Sequence, residues 1–360
     1  MRVLIPTQVQ DVHATVVQRA LASRGHDVVL WYGADLPRLE TLSYRLEDGR
    51  ASVLDGPDGR FDVVWQRRLT QPVLPLDLSP ADGVFAAREW RLALDGFWNT
   101  VAPDAFWVNP RATWGSSSSC KARQLVEAAQ VGLRVPPTLV SSDPARIRAF
   151  LREHPQAIYK SFAPGSWLHA DGSASLLFTT PIGEDDLPDD DALRLTPGLF
   201  QPRLDKRFEL RVNVIGDRVF GSRLDSQAIA SARDDWRAAP ADVAVEPWSL
   251  PDDLAGRCRA LARRLGIVFG CFDFVVPPDG DPVFLEVNTM GQWLWLEQFG
   301  PDHRLLDAFC ALLGQGRVDY DWDPARAELR FADFYDPARD EATDARHVSH
   351  PAPLPGGSGL

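Results

Sequence analysis

The sequence has no Cys-x-x-Cys pair. Its four cysteines, Cys120, Cys258, Cys271 and Cys310, stand far apart, which excludes a zinc ribbon and a disulfide framework and leaves them as small, reduced core residues. No long Lys/Arg run occurs, and the net charge of −12 opposes binding to nucleic acid or to an anionic membrane surface, both driven by basic surface. No window approaches a membrane span, and the opening MRVLIPTQVQ carries only a short apolar run before Pro6, far less than the apolar core of a signal peptide. A cytoplasmic protein is expected. The G-x-G-x-x-G fingerprint is also missing after the first strand, so a Rossmann dinucleotide site is not expected there.

With 45% hydrophobic and 24% charged residues in 360, the chain can fill two or three packed units. The most informative stretch is Gly270 to Val276, a Pro-Pro-Asp-Gly turn, then Pro282 to Asn288. It reads as two apolar strands around a tight turn, each with an acid where an ordinary core strand carries Val. A buried charge without a partner is costly, so each acid needs a cation. Side chains alternate along a strand, so Glu286 and Asn288 share a face that Asp273 can meet from the neighbouring strand. Three oxygen ligands without Cys or His suit Mg²⁺ and point to a metal-nucleotide site.

Taken in order, Arg2 to Ile5, Asp11 to Arg24 and His26 to Trp31 read as a β-α-β unit. Phe61 to Arg68 is a buried strand running out into Arg67 and Arg68, at the strand end where open α/β sheets place ligands. Ala81 to Phe97 has helical composition, and the polar run Ser116 to Ser119 marks a change of unit near residue 110. Lys121 opens a helix closed by Gly132, Asp143-Pro144 caps another, and a strand ends at Lys160. The Gly/Ser-rich stretch Ser161 to Ser175 reads as a loop with free N–H groups that can lie over phosphates. Leu199 to Leu204 connects to a third unit, and Leu254, Cys258, Leu261 and Leu265 line one face of a helix ended by Gly266. Past Tyr320 the acids and prolines predict a loosely held tail.

Phe208 to Ser226 reads as a hairpin. A three-residue loop, Gly216 to Arg218, pairs Ile215 with Val219 and Arg211 with Arg223. It sorts Leu210, Val212, Val214, Phe220 and Leu224 to one face and Glu209, Arg211, Asn213, Arg223 and Asp225 to the other. A two-residue loop brings Arg223 opposite Leu210 and is rejected on that ground.

Two separated lysines, a Gly/Ser loop, a connector, a Glu-x-Arg strand and the Asp…Glu-x-Asn set, in that order, resemble the ATP-grasp fold. Trp65-Gln-Arg-Arg68, Val108-Asn-Pro110, Lys121-Ala-Arg-Gln-Leu125, Gly132 to Thr138, Asp225-Ser-Gln227, Asp235-Trp-Arg237 and above all Gly291-Gln-Trp-Leu-Trp-Leu-Glu297 resemble one branch, the graspetide (microviridin-type) peptide maturases. The resemblance covers roughly residues 1 to 315. It implies an α/β (α+β) protein with an N-terminal pre-ATP-grasp domain (1–110), a central subdomain (111–197), a C-terminal subdomain with the metal site (198–318) and a tail (319–360). Two departures stand out: Asn288-Thr289-Met290-Gly291 stands where the family commonly has Asn-Pro-Asn-Gly, so the second Asn is missing and the first is kept, and Pro202 replaces an acid often found at the adenine connector.

What the resemblance implies for chemistry is specific. Lys121 and Lys160 contact ATP, Gln201, Arg203 and Leu204 flank the adenine, and Asp273, Glu286 and Asn288 hold Mg²⁺. Arg211 touches the γ-phosphate and then an acyl phosphate, with Glu209 also at the nucleotide and Asp225 or Glu209 as general base. Arg223, Asp235, Trp236 and Arg237 dock a ribosomal precursor peptide, whose Asp or Glu side chains become linked to Thr, Ser or Lys. Family members are often homodimers. A RimK-like ligase adding amino acids to a protein or small molecule, and a catalytically idle ATP/peptide-binding module, stay open beside the maturase.

Overall fold

β1 (Arg2–Thr7), α1 (Val12–Ser23) and β2 (Asp27–Tyr32) form the expected β-α-β unit, with Val3 opposite Val28 and Ile5 opposite Leu30 in parallel register. The computed structural model describes residues 1–57, 59–113, 120–162, 166–168, 174–176, 179–233, 236 and 243–349. β3 (Ser43–Glu47) and β4 (Arg50–Asp55) make a hairpin of their own. β5 (Val63–Trp65), α2 (Pro80–Thr100, capped by Ser79) and β6 (Phe106–Val108) complete a four-stranded parallel sheet in the order β2-β1-β5-β6. Both its faces are covered, as a parallel sheet requires. Leu4 and Val64 meet Trp31 and Phe97 on one side, while Val3, Ile5 and Trp65 meet α1 and the C-terminal helices on the other.

The middle unit runs through α3 (Lys121–Gln130), β7 (Leu139–Ser141), α4 (Pro144–Glu153), whose Asp143 cap accepts from two backbone N–H groups, and β8 (Ala157–Lys160). Inside the stretch expected as a loop, β9 (Ser166–Leu168) and β10 (Ala174–Leu176) pair antiparallel, and the glycines Gly165 and Gly172 lie outside the described residues. β11 (Thr180–Ile182), α5 (Asp190–Leu195) and β12 (Gly198–Pro202) follow, giving an antiparallel sheet β11-β8-β12-β7. β12 was expected to open the third unit at 198. Its Leu199 and Phe200 are buried against β7 and β8, so the middle sheet extends to Pro202.

The third sheet is built from β13 (Phe208–Ile215), β14 (Arg218–Leu224), β15 (Val245–Trp248), β16 (Phe269–Val276) and β17 (Val283–Asn288), in the order β15-β14-β13-β16-β17. α6 (Asp252–Leu265), stopped by Gly266 at φ +72, covers one face with Leu254, Cys258, Leu261 and Leu265 over Leu210, Val212, Phe272 and Phe274. α7 (Trp295–Phe299) and α8 (Leu305–Gln315) follow. α8 is apolar nearly all round and accordingly buried: its Phe309 meets Trp65 of the first sheet and Phe269 and Trp293 of the third at ring distances of 4.8 to 5.0 Å.

The hairpin corrects the expected register. Its loop has two residues, Gly216 and Asp217, with Gly216 at φ +58, as the first central position of a type II′ turn requires. Ile215 therefore pairs with Arg218, Leu210 with Arg223 and Arg211 with Ser222. Sorting by polarity fails because every residue of β13 is buried: both faces need apolar partners, so Phe220 and Leu224 lie on the face of Arg211. Arg223 lies on the other, its guanidinium 4.8 Å over the Phe208 ring.

Residues 319–349 do not form a loose tail. Tyr320, Leu329 and Phe331 are buried, and α9 (Phe331–Phe334) and α10 (Pro337–Asp344) dock on α1 and the first sheet, with Arg19 holding Asp340 at 2.7 Å. Buried Asp307 accepts from Trp322 Nε1, Glu328 N and Leu329 N, and Glu297 from Phe331 N. Acids and prolines read as signs of disorder are helix caps here: Asp323 and Asp336 each precede a proline and accept backbone N–H groups. Residues 350–360 lie outside the described residues.

Candidate active site

Three strands bring a cation and two acids into one row. Arg211 on β13 faces Asp273 on β16, and Asp273 faces Glu286 on β17. A register shift after Asp273 places Leu285 as an extra residue of β17, so Phe284 stays in the core opposite Phe274 while Glu286 turns to the site. Arg211 Nη1 donates to both oxygens of Asp273 at 2.5 and 2.7 Å, and Nη2 donates to the Gln292 carbonyl at 2.9 Å. Burial disfavours the guanidinium charge, yet Asp273 above all, with Cys271 and Glu286, outweighs this and moves its pKa up. Arg211 Nε is buried without a partner.

Asn288 Nδ2 donates to Asp273 Oδ2 at 3.1 Å, which orients the amide oxygen away from the carboxylate. Among the described residues no three His, Cys, Asp or Glu side chains cluster. The site thus offers two carboxylates and an amide, a hard-oxygen set suited to Mg²⁺ that completes its shell with phosphate oxygens and water.

The middle unit supplies lysines to the same place. Lys121 Nζ lies 3.4 Å from Glu286 Oε2 and donates to the Ser161 carbonyl at 3.1 Å. Burial drives the Lys160 amine down to about 8, with Glu286 opposing the fall and Lys121 and Lys206 adding to it. Lys206, not singled out from sequence, donates to Glu209 at 3.0 Å. A signal for it exists: Lys121, Lys160 and Lys206 are the only lysines among 38 basic residues, and all three converge here. Glu209 also accepts from Ser226 Oγ at 2.9 Å, and its carboxyl is raised, by burial first, against the pull of Lys206 and Ser226.

At the connector, Gln201 is 2% exposed, and its Nε2 donates to Thr138 Oγ1 at 2.9 Å while its Oε1 is buried without a partner. An orphaned acceptor there fits the exocyclic amine of an adenine. The Arg203 backbone N–H, one of the expected contacts, is already given to the Gln156 carbonyl at 2.8 Å.

Several holding residues went unassigned in the sequence. Asn109 accepts from Val268 N and Phe269 N and donates to the Phe269 and Thr289 carbonyls, and Gln124 brackets Val287 through both backbone groups. Arg67, 1% exposed, pairs with Asp11 and donates to the Met290 and Gly291 carbonyls and to Gln292 Oε1. His13 Nε2 accepts from Trp293 N and Leu294 N, and burial first, then Arg67, Arg68 and Arg211, push its pKa well down. The first unit therefore fixes the segment whose Gln292 carbonyl positions Arg211.

The expected peptide-docking residues are more scattered. Arg223 reaches Glu246 at 3.5 Å and Asp225 at 3.9 Å, away from the Arg211 row, and Asp225 is substantially exposed. Trp236 stacks on Trp295 at 4.5 Å. Asp235 and Arg237 lie outside the described residues.

No family model and no curated protein matches the chain. Solved structures do. A RiPP-associated ATP-grasp ligase from Chryseobacterium gregarium, in complex with ADP and a leader and core peptide, is 25% identical with a TM-score of 0.79 over 89% of this chain and 99% of its own. The macrocyclase MdnB from Microcystis aeruginosa is 28% identical at TM-score 0.70 over 87% and 98%. MdnC from the same organism, bound with precursor peptide MdnA, is 24% identical at TM-score 0.76 over 88% and 100%. The chain has the ATP-grasp fold. In this ATP-grasp protein the acidic row belongs to the third sheet and the lysines approach it from the middle unit.

Proposed function

We propose that the chain is an ADP-forming ligase that closes macrocycles in a ribosomal precursor peptide. The observation that carries this reading is the row Arg211, Asp273 and Glu286 with Lys121 on the same carboxylate, in a fold shared with a ligase solved with ADP and peptide. ATP is the first substrate. An Asp or Glu side chain of the peptide attacks its γ-phosphorus, ADP leaves, and an acyl phosphate forms. A Thr or Ser hydroxyl, or a Lys amine, then attacks the acyl carbon and inorganic phosphate leaves. Each ring removes one water from the peptide.

Asp273, Glu286 and Asn288 would hold Mg²⁺, which neutralises phosphate charge when bound. Lys121 and Lys160 add positive charge, and Arg211 presents a fork that a phosphate can take over from Asp273. Gln201, with Arg203 and Leu204, receives the adenine. Glu209 serves as general base in preference to Asp225: it is buried with a raised carboxyl, whereas Asp225 is exposed. Arg223 and the segment Asp235, Trp236 and Arg237 dock the peptide, in a cytoplasmic setting and as a homodimer.

The test is mass spectrometry of the peptide encoded beside the gene after incubation with enzyme, ATP and Mg²⁺. Loss of one water per ring with matching ADP release is expected. ADP release with free amino acids and no peptide would move the assignment to a RimK-like ligase, and binding without ADP formation to an idle module.

A further inference from the structure

Beside the phosphate-facing row lies a cavity of about 270 Å³ that the mechanism above does not use. It opens at the C-terminal ends of β1 and β5, where α/β sheets receive ligands. Val12, Leu294, Trp295 and Phe331 give it apolar walls, and Arg68, Gln8, Gln10, Gln298 and Tyr335 give it polar groups. Gln292 joins it to the row: the side chain lines the cavity, while its backbone carbonyl accepts from Arg211 Nη2 at 2.9 Å. The volume is below the roughly 300–1,000 Å³ of drug-sized ligand pockets and suits one side chain with its flanking backbone.

The charges decide what fits. Asp11, the acid in the wall, is taken by Arg67 at 3.2 Å and Thr7 at 3.1 Å. Arg68 is half-buried, and its guanidinium has no ion pair or hydrogen bond among the described residues. A partly desolvated guanidinium amid neutral amides and a phenol is a receptor for a planar anion. Gln10 adds a second sign of a built site. It stands at φ +62, a conformation that costs a non-glycine residue about 1 kcal/mol or more, and its backbone N–H donates to Asp344 on α10 at 2.9 Å.

We infer that this cavity receives the carboxylate of an acidic side chain of the substrate peptide through Arg68, holding one Asp or Glu while another occupies the row beside it. The inference rests on the peptide-ligase reading. The C-terminal segment supplies Phe331 and Tyr335 directly and Asp344 behind Gln10, so it forms part of the substrate site.

Calorimetry without turnover tests this on the full chain. The probes are a blocked peptide of alternating threonine and glutamate, the same peptide with glutamine for glutamate, and ADP. The wild type should prefer the glutamate peptide by about tenfold or more, the range of a charge-assisted hydrogen bond. Arg68→Gln should cut that preference several-fold, Arg68→Lys restore part of it, and Gln298→Glu on the exposed rim lower it, all with unchanged ADP affinity. An unchanged preference in Arg68→Gln and Gln298→Glu, no peptide binding by the wild type, or a parallel fall in ADP affinity would each overturn the assignment. The function reading fails separately, when the wild type binds the glutamate peptide yet yields no dehydrated product with ATP.

Discussion

Arg211 and Asp273 meet across β13 and β16, the guanidinium engaging both carboxylate oxygens at 2.5 and 2.7 Å. The arginine thus balances the acid that, on the proposed reading, would hold magnesium, and its Nε–H is buried without a partner. Lysine can replace the charge and not the fork. Arg211→Lys is expected to lower kcat about 100-fold or more, in the range of removing one preorganised donor, with a smaller change in the KM for ATP. Steady-state ADP release measures both.

Glu286 is paired with Lys121 at 3.4 Å on a partly exposed strand end, so its removal leaves the core intact. Glu286→Ala is expected to abolish ATP-dependent product while circular dichroism stays near that of the wild type. Retained turnover at saturating Mg²⁺ would remove Glu286 from the ligand set.

Gln201 Oε1 is buried without a partner beside a donor already committed to Thr138. With the base seated there as proposed, this acceptor would favour adenine, which presents an amine, over guanine, which presents a carbonyl. Gln201→Leu should narrow the ratio of kcat/KM for ATP over GTP by about tenfold, one hydrogen bond's worth, as competition kinetics would show.

The acidic row was legible because an acid inside an apolar alternation has few explanations, and β16 and β17 pair much as the alternation predicts. The hairpin was not: polarity assigns faces only when one face is wet, and β13 is dry on both. Asn109, Gln124 and His13 were also illegible as holding residues, since their partners lie about 160 to 280 residues away and nothing local marks them. The C-terminal segment misled for a related reason. Its acids looked like a solvating tail, yet Asp340 and Asp344 answer Arg19 and the Gln10 backbone more than 300 residues upstream.

His13 carries a pH prediction. Its Nε2 accepts two backbone N–H groups, so the folded chain requires the neutral ring, and burial with Arg67, Arg68 and Arg211 keeps its pKa well below the ordinary value. The unfolded chain protonates near pH 6.5, where the folded one does not. Stability is therefore present above that value and falls as pH drops below it, by up to about 1.4 kcal/mol per pH unit. Denaturant melts between pH 7.5 and 5 should show the loss, and His13→Gln should flatten the slope relative to the wild type.

The last prediction concerns the end of the chain. Asp307 is 2% exposed, and three of its donors, Trp322 Nε1, Glu328 N and Leu329 N, come from beyond residue 319. Glu297 likewise takes Phe331 N, and burial already raises its carboxyl to about 7. Cutting the chain after Asp319 strips partners from both acids and bares the surface that Tyr320, Leu329 and Phe331 cover. Asp307 keeps Arg24 and Glu297 keeps Leu306 N, yet each hydrogen bond lost from a buried acceptor costs about 1–3 kcal/mol, and each large apolar side chain adds about 1.5–3 kcal/mol. These sums approach the stability of a whole domain. The truncated chain is expected to melt far below the full chain or to aggregate on expression, and a soluble truncation with an unchanged melting temperature would show that the segment is dispensable to the fold.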